Sequence, residues 1–458
     1  MADRFEIVEK ALLKMLEEKK YSSIRDILVT MNSSDIAAMF SHLDESQIPL
    51  MFRLLPKELA AETFVEMEPD AQELLIRGFS DNELKEVVDE LYVDDAADLV
   101  EEMPANVVRR ILRQATPEMR NTINQILQYP DNSAGSIMTT EYVSLRPDMT
   151  VEESILRIRR QGIDKETIYT CYVTENQKLI GLVTVKDLLL TEDDETEIRD
   201  IMLTNLISVT THTDQEEVAR MFSKYNFLAL PVVDGENRMV GIVTFDDAMD
   251  VMEDEATEDM ELMGGMMPSQ KTYLKSSAFE LFKNRIPWLL LLMVSATFTG
   301  MIITSFEDAL AAQVALTAFI PMLMDTGGNS GSQSSVTVIR ALSLDELKFS
   351  DIGRVIWKEF RTAILCSVVL AVVCFCKIML VDHLLMHNDN ITVLVAAVVC
   401  LTLSVTVILA KLVGCTLPLF ARAVHLDPAV MASPFITTIV DALSLLVYFM
   451  FAHALLGV

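Results

Sequence analysis

The sequence of 458 residues has little positive charge: 37 Lys and Arg residues stand against 67 Asp and Glu residues, a formal net charge of −30. Such a chain repels phosphate backbones, which argues against a nucleic-acid partner and favours cationic ligands, metal ions above all. The charge is placed unevenly, because residues 285–458 hold only 9 basic and 11 acidic side chains. The length is sufficient for two to four domains, and the acidic and the apolar ones occupy different parts of the chain.

Extracellular features are also lacking. The N-terminal 20 residues are charged and amphipathic, without the apolar core of a secretory signal, so we expect the upstream part to stay in the cytoplasm. Cys171 is the one upstream cysteine, and the others lie in apolar runs, which is typical of buried thiols in a reducing compartment rather than of a disulfide framework. These others are Cys366, Cys374, Cys376, Cys400 and Cys415.

Long apolar runs mark the last third of the chain. Residues 286–304 contain no charge, and about 20 apolar residues cross a bilayer as a helix. Similar runs cover 362–381, 391–421 and 432–457, and residues 309–339 are apolar at both ends with a polar middle. We predict five spans. Lys and Arg concentrate before the first span and in 340–361, which places the N-terminal part inside and the C-terminus outside the cell membrane.

Three ionisable residues lie deep in these spans, where each costs about 2.5–3.5 kcal/mol on insertion scales. They are Asp325, Lys411 and Asp441. One interpretation is a buried ion pair between Lys411 and either carboxylate. One lysine cannot neutralise two carboxylates, however, so the other interpretation is that at least one carboxylate faces water or a cation along a pathway.

The polar middle of the second span, residues 327–333, is rich in glycine and small polar residues. Close packing of helices through small residues accounts for the glycines. It does not account for Asp325, Asn329 and Gln333, whose side-chain oxygens suit a hard cation if they face a water-filled cavity. The segment lacks the Lys-Ser/Thr of a phosphate loop, which argues against nucleotide hydrolysis there.

Two internal repeats organise the upstream part. Apolar or small residues recur every 12 positions between 35 and 130, which predicts a stack of short helices, a solenoid. The markers are Leu43, Leu55, Met67, Phe79, Leu91, Met103, Ala115 and Leu127. Further on, GLVTVKD at 181–187 recurs 60 residues later as GIVTFDD at 241–247. The second repeat, with Thr-x-x-Asp at each strand-to-helix turn, resembles a tandem pair of cystathionine β-synthase (CBS) domains.

Nine acidic residues and no basic ones lie between Asp246 and Glu261. Several are spaced three or four apart, on one helical face, where like charges repel. This face is either a solvated surface or a place where divalent cations bind.

An acidic helical domain, a CBS pair, an acidic connecting helix and five spans, in this order, resemble the MgtE family of magnesium channels. Two segments are similar to that family's most specific motifs: PMLMDTGGNSGSQ at 321–333 and PFITTIVD at 434–441. The implied fold is multidomain, α plus α/β with an all-α membrane domain. Its expected parts are the helical solenoid 1–131, the tandem CBS domains 132–252, the connecting (plug) helix 253–283 and the membrane pore domain 284–458.

The resemblance also implies functional residues. The pore would lie on the axis of a homodimer, with Asp441 as its key carboxylate and Asn329 on the polar span. Regulatory magnesium ligands are implied at Asp94, Asp98, Glu216, Asp247, Asp250, Glu255, Glu258 and Asp259. Asn226 stands where some members have Asp, which weakens that site. The CBS pair would hold ATP through Tyr169, Lys186 and Asp187, with Lys186 standing where Arg occurs in other members.

The sequence therefore predicts a magnesium channel, not an enzyme, that is closed by cytoplasmic Mg²⁺. One alternative is a membrane sensor of magnesium or nucleotide that does not conduct, but such a sensor needs neither Asp441 nor a polar second span. Another is an intramembrane enzyme regulated by its CBS pair. No span contains the His-Glu-x-x-His motif of a zinc protease, which argues against it.

Overall fold

The structure is a computed structural model that describes residues 2–269, 273, 276–387, 390–431 and 433–457. The chain divides into two compact units, Met1–Met252 and Glu253–Val458.

Ten helices begin the first unit. They are α1 (Ala2–Glu17), α2 (Tyr21–Leu28), α3 (Ser33–Phe40), α4 (Ile48–Phe52), α5 (Lys57–Val65), α6 (Pro69–Gly78), α7 (Asp81–Val88), α8 (Val93–Glu102), α9 (Ala105–Gln114) and α10 (Pro117–Ile126). The 12-residue repeat is confirmed, since α6, α8, α9 and α10 each end one residue before an apolar marker. One hydrophobic core runs from Leu12 to Ile126, as expected of a stack in which each helix buries its apolar face against its neighbours.

Two three-stranded sheets follow in the same unit. The strands are β1 (Val143–Leu145), β2 (Thr170–Glu175), β3 (Lys178–Thr184), β4 (Val209–Thr210), β5 (Ala229–Val233) and β6 (Met239–Thr244). In each sheet the first strand is parallel to the second, and the second is antiparallel to the third. The helices beside them are α11 (Val151–Gln161), α12 (Val185–Leu190), α13 (Ile198–Ile201) and α14 (Gln215–Tyr225). The tandem CBS arrangement is confirmed.

The Thr-x-x-Asp motif is a helix cap in both copies. Thr184 donates its backbone N–H and its hydroxyl to the carboxylate of Asp187, where α12 begins. Thr244 makes the same two contacts with Asp247, where α15 (Phe245–Met263) begins. A carboxylate in the first turn satisfies otherwise unpaired N–H groups and complements the helix dipole.

Helix α15 corrects the predicted bounds of the acidic connecting helix, 253–283. It begins at Phe245, inside the second CBS copy, and ends at Met263. Gly265 then has φ +70, and the N–H of Met266 donates to the carbonyl of Glu261, which is a typical helix C-terminus. Residues 270–272 and 274–275 of the predicted range, and with them Lys271 and Lys275, lie outside the described residues.

The second unit is helical. Its remaining helices are α16 (Ala278–Ser305), α17 (Glu307–Ala312), α18 (Ile320–Ser343), α19 (Ile352–Lys377), α20 (Val393–Ala423) and α21 (Ser433–Leu456), and α19 continues as a π-helix over Ile378–Leu385. Within the described residues, four helical stretches are long and apolar enough to cross a membrane, and they contain α16, α19, α20 and α21. Helix α18 has the length but carries the polar segment, so the fifth span stays a prediction.

Glycines bring α18 against its neighbours. A Cβ on Gly327 would lie 2.6 Å from Cγ2 of Thr406 in α20, and one on Gly331 would lie 2.8 Å from Cγ2 of Ile436 in α21. A Cβ on Gly414 of α20 would collide with the carbonyl oxygen of Gly331 itself. Close packing through small residues, one of the two interpretations of this segment, therefore explains its glycines.

Replacing Gly414 by alanine should destabilise the membrane part strongly. The obstacle is a backbone oxygen that no side-chain rotation can move. We therefore expect the free energy of unfolding to fall by about 1–3 kcal/mol or more, as is typical of overpacking. The matched control is Gly300→Ala in α16, because a Cβ there meets nothing within 4 Å. The melting temperatures of the two purified variants in detergent, compared with that of the wild-type chain, measure the two effects. Equal melting temperatures for the two variants would contradict the close approach of α18 and α20.

Candidate functional site

One face of α18 is polar and exposed in this chain. It carries Asp325, Asn329 and Gln333, spaced four residues apart, while Gly327 and Gly331 point into the bundle. The side-chain N–H of Asn329 donates to Oδ1 of Asp325 over 3.1 Å. These three residues, hereafter the polar face of α18, supply oxygen atoms of the kind that hard cations prefer.

Asp441 of α21 lies beside this face. Its side chain is half-buried, and Asp325 is near enough for the two carboxylates to repel each other. Two like charges in a largely apolar bundle are favourable only when a cation or water compensates them.

Lys411 does not compensate either carboxylate. Among the residues that the structure describes, neither Asp325 nor Asp441 lies within 4.0 Å of its ammonium group. Its Nζ instead donates to the hydroxyl of Ser334 over 3.4 Å, and that hydroxyl donates to Oε2 of Glu359. Of the two interpretations of these charges, the ion pair between Lys411 and Asp325 or Asp441 is therefore wrong, because Lys411 reaches the opposite side of α18.

A second group of carboxylates lies in the first unit, between the helical solenoid and the CBS pair. Its members, hereafter the acidic cluster, are Asp94 and Asp95 of α8, Glu166 before β2, and Asp247 at the start of α15. Asp94 is only 7% exposed, and its Oδ1 has no hydrogen-bond partner among the described residues. Oε2 of Glu166 is buried in the same way.

Burial and mutual repulsion make these carboxyls weak acids. Burial, then the charge of Asp247, raises the pKa of Asp94 well above its usual range and that of Asp95 to about 7. Burial and the charge of Asp95 raise the pKa of Glu166 to about 8, and burial raises that of Asp247 to about 6. Carboxylates held together at such cost form an arrangement that a cation would stabilise.

The geometry limits how an ion would be held. Within the described ranges, no group of three or more His, Cys, Asp or Glu side chains is arranged to hold a bare metal ion. Mg²⁺ keeps several of its water molecules and needs only one or two carboxylates. The orphaned oxygens of Asp94 and Glu166 therefore fit a hydrated divalent cation.

The other predicted ligands are spread over α8, α14 and α15. Asp98 lies one turn after Asp94 on α8, and burial, then the charge of Asp247, raises its pKa to about 7, so it belongs beside the acidic cluster. Glu216 is paired with Arg220 on α14. Asp250 is exposed and Glu255 half-buried on α15. Burial, then Asp427, raises the pKa of Glu258, and Asp259 accepts a hydrogen bond from the hydroxyl of Ser343 over 3.0 Å. Asn226 ends α14 with φ 54, a conformation that asparagine tolerates better than most residues.

The predicted nucleotide residues surround the start of α12. Tyr169 and Lys186 are exposed, and Asp187 borders a small cavity with Leu190 and Thr191. One oxygen of Asp187 is occupied by the cap of α12.

Sequence analysis missed Asp95, Glu166 and Glu359. Asp95 adjoins Asp94, so the acidic pair itself could have indicated it. Glu166 and Glu359 belong to no repeat, and only the folded chain brings them to their partners.

The acidic cluster predicts a pH dependence. A carboxyl whose pKa is raised on folding holds its proton longer in the folded state than in the unfolded state, so between the two values rising pH favours unfolding. Without divalent ions, we expect the melting temperature of the intact chain to fall between pH 5 and pH 8, the window that Asp247, Asp95 and Glu166 define. The combined variant Asp95→Asn, Glu166→Gln should flatten this slope. An unchanged slope in that variant would assign the pH dependence to other groups.

Comparison with known proteins identifies the family of each part of the chain. The MgtE family model, a divalent cation transporter, matches residues 320–451, the model of the MgtE intracellular N domain matches 31–132, and the CBS domain matches 134–192 and 198–254. The magnesium transporter MgtE of Thermus thermophilus is 35% identical over 451 residues, 97% of this chain and 98% of that protein. The magnesium transporter MgtE of Bacillus subtilis is 32% identical over 97% of this chain and 96% of its own length.

Solved structures match the cytoplasmic part. A crystal structure of the cytosolic domain of the Mg²⁺ channel MgtE in complex with ATP is 36% identical, with a TM-score of 0.51, and covers 53% of this chain and 99% of that one. A crystal structure of the soluble part of a magnesium transporter is 31% identical, also with a TM-score of 0.51, and covers 55% of this chain and 99% of that one. The fold and these matches define a membrane transport protein for divalent cations with a cytoplasmic N-terminal part. The chain belongs to the MgtE family of magnesium transporters, as its motifs predicted.

Proposed function

We propose that the chain forms a homodimeric magnesium channel of the cell membrane, with five spans and its C-terminus outside, which cytoplasmic Mg²⁺ closes. The observation that supports conduction best is the polar face of α18, exposed on a helix among four membrane-crossing stretches. Lipid cannot cover such a face without leaving its polar groups unsatisfied. A second copy that presents the same face across a two-fold axis encloses water between the two, and Asp441 of each chain then lies at the path.

Selection of Mg²⁺ needs little direct contact in this proposal. The ion releases its water reluctantly, so carboxylates and amide oxygens that contact a hydrated ion suffice to attract it. The two Asp441 carboxylates of a dimer would double the field at the path, and low-dielectric walls would strengthen it.

Closure is assigned to the acidic cluster. At low cytoplasmic Mg²⁺, repulsion among Asp94, Asp95, Glu166 and Asp247 would separate the helical solenoid from the CBS pair. At high Mg²⁺, hydrated ions shared by these carboxylates would hold the two domains together. Asp98, Glu216, Asp250, Glu255 and Glu258 are proposed as further ligands of the closed form.

The second unit contains a direct route from α15 to the pore helix. Asp259 of α15 accepts the hydrogen bond of Ser343 at the end of α18, and Leu262 and Met263 pack against Ile339 of α18. A change in the position of α15 therefore acts on the helix that carries the polar face.

ATP is proposed as a second ligand of the CBS pair, bound near Tyr169, Lys186 and Asp187. The support is the relative's cytosolic domain solved with ATP, together with the exposed position of the first two side chains. The capping role of Asp187 leaves its second carboxylate oxygen for a ribose hydroxyl.

The experiment that tests the proposal is magnesium uptake by vesicles that contain the purified chain. We expect uptake when Mg²⁺ is low on the cytoplasmic face and arrest when it is high. A sensor that does not conduct would bind Mg²⁺, seen as protease protection of residues 246–263, without any flux. Absence of flux at every Mg²⁺ concentration, with protection retained, would replace the channel by that sensor.

A further inference from the structure

Three helices meet at a buried charge that the proposed pathway does not use. Lys411 of α20 is 5% exposed, and Ser334 of α18, which accepts its hydrogen bond, is 2% exposed. The Ser334 hydroxyl donates to Oε2 of Glu359 in α19 over 2.6 Å. The ammonium group can only donate and the carboxylate can only accept, so the single serine proton must point toward Glu359. The chain of hydrogen bonds thus has one direction.

These hydrogen bonds lie next to the place where the backbones of α18 and α20 come together. Ser334 is three residues after Gly331, and Lys411 is three residues before Gly414, whose backbones touch. Contacts between glycine and aliphatic groups are not directional, so by themselves they resist sliding or rotation of α18 weakly. Hydrogen bonds to a buried charged group such as Lys411 require one geometry, and fixing the register between helices is the best-attested use of buried charged groups.

Ser334 follows Gln333 of the polar face, so the rotation of α18 that serves the hydrogen bonds also decides where that face points. We propose that Lys411, Ser334 and Glu359 form a positioning network, which fixes α18 against α19 and α20 and thereby directs Asp325, Asn329 and Gln333 toward the ion path. The inference rests on the proposed conduction along α18. None of the three residues of the network touches the ion.

The first test is Ser334→Ala, which removes the bridge while leaving both charges and little empty space. The matched control is Ser367→Ala in α19, because Ser367 is also buried but donates only to Ile364 of its own helix, over 2.9 Å. In uptake by vesicles, Ser334→Ala should raise the half-saturating external Mg²⁺ concentration at least about fivefold, and Ser367→Ala should leave it unchanged. A role in stability alone lowers the maximal rate through loss of folded protein and leaves half-saturation where it is.

A pair of double variants separates hydrogen bonding from burial of charge. In the double variant Lys411→Gln, Glu359→Gln, one amide can still donate to Ser334 and the other can accept from it, without any charge. Its half-saturating Mg²⁺ concentration should therefore stay within about twofold of the wild-type value. In Lys411→Met, Glu359→Leu the network is gone, so half-saturation should shift as in Ser334→Ala, although no buried charge is left unpaired.

The positioning role would be overturned if the half-saturating Mg²⁺ concentration equalled that of wild type both in Ser334→Ala and in the double variant Lys411→Met, Glu359→Leu. Because wild-type vesicles are measured beside them, that outcome differs from failure of the proposed function, in which the wild-type chain itself shows no uptake. If the double variants do not fold, Ser334→Ala and its control still decide.

Discussion

Asp441→Ala should abolish magnesium uptake while leaving the folded protein intact. At an effective dielectric constant of about 20, a divalent ion about 5 Å from one carboxylate gains on the order of 6 kcal/mol before its hydration is counted. Each 1.4 kcal/mol of this attraction that remains after the cost of hydration changes the occupancy of the path by Mg²⁺ about tenfold. Asp441 is half-buried beside Asp325, so its removal takes away one of the two carboxylates near the polar face of α18.

The control is Asp382→Asn, since that carboxylate is paired with Lys377 at the far end of α19, 2.7 Å away. Uptake of Mg²⁺ by vesicles is measured for both, with size-exclusion chromatography to show that the assembly is unchanged. Normal transport by Asp441→Ala would mean that the path does not run between α18 and α21.

The second large effect concerns closure. Neutralising Asp247 and Asp250 together should leave conduction intact and raise the cytoplasmic Mg²⁺ that halves uptake by at least about tenfold. Moving a channel from 1:99 to 99:1 takes about 5.5 kcal/mol, which several weak ion sites supply together more readily than one. Asp247→Asn is the suitable substitution, because its amide oxygen can still accept from Thr244 and cap α15.

Glu166→Lys provides the opposite change at the same place. A lysine there would pair with Asp95 as a bound cation does, so uptake should stop at lower Mg²⁺ than in wild type. If both variants shifted closure in the same direction, or if monovalent salt of equal ionic strength shifted it equally, screening of the whole surface would explain the effect better than ions shared by the acidic cluster.

The parts of the fold that sequence analysis predicted depend on neighbours along the chain. The 12-residue period places one apolar marker at each turn of the stack, and Thr184 and Thr244 cap helices through carboxylates three residues on. The end of α15 was missed, although the pair Gly264 and Gly265 marks it: the acidic spacing was extended past the point where the backbone turns.

The partner of Lys411 illustrates what the sequence could not provide. Depth along the spans placed Lys411 level with Asp325 and Asp441, which made an ion pair among them one of two interpretations. Which side of α18 faces α20 depends on Gly327 and Gly331, because only glycine allows the approach to Thr406 and Gly414. That choice of face turns Ser334 toward Lys411 and leaves Asp325 on the other side.

The touching backbones of Gly331 and Gly414 also restrict how this protein can move. That contact leaves no side-chain layer between α18 and α20, and the hydrogen bond from Lys411 to Ser334 joins the same two helices beside it, so we expect them to move together as one rigid body. Helix α16, in contrast, has no buried residue. A displacement of α15 that is transmitted through Asp259 and Ser343 would therefore move α18 and α20 together, whereas α16 is free to shift against them.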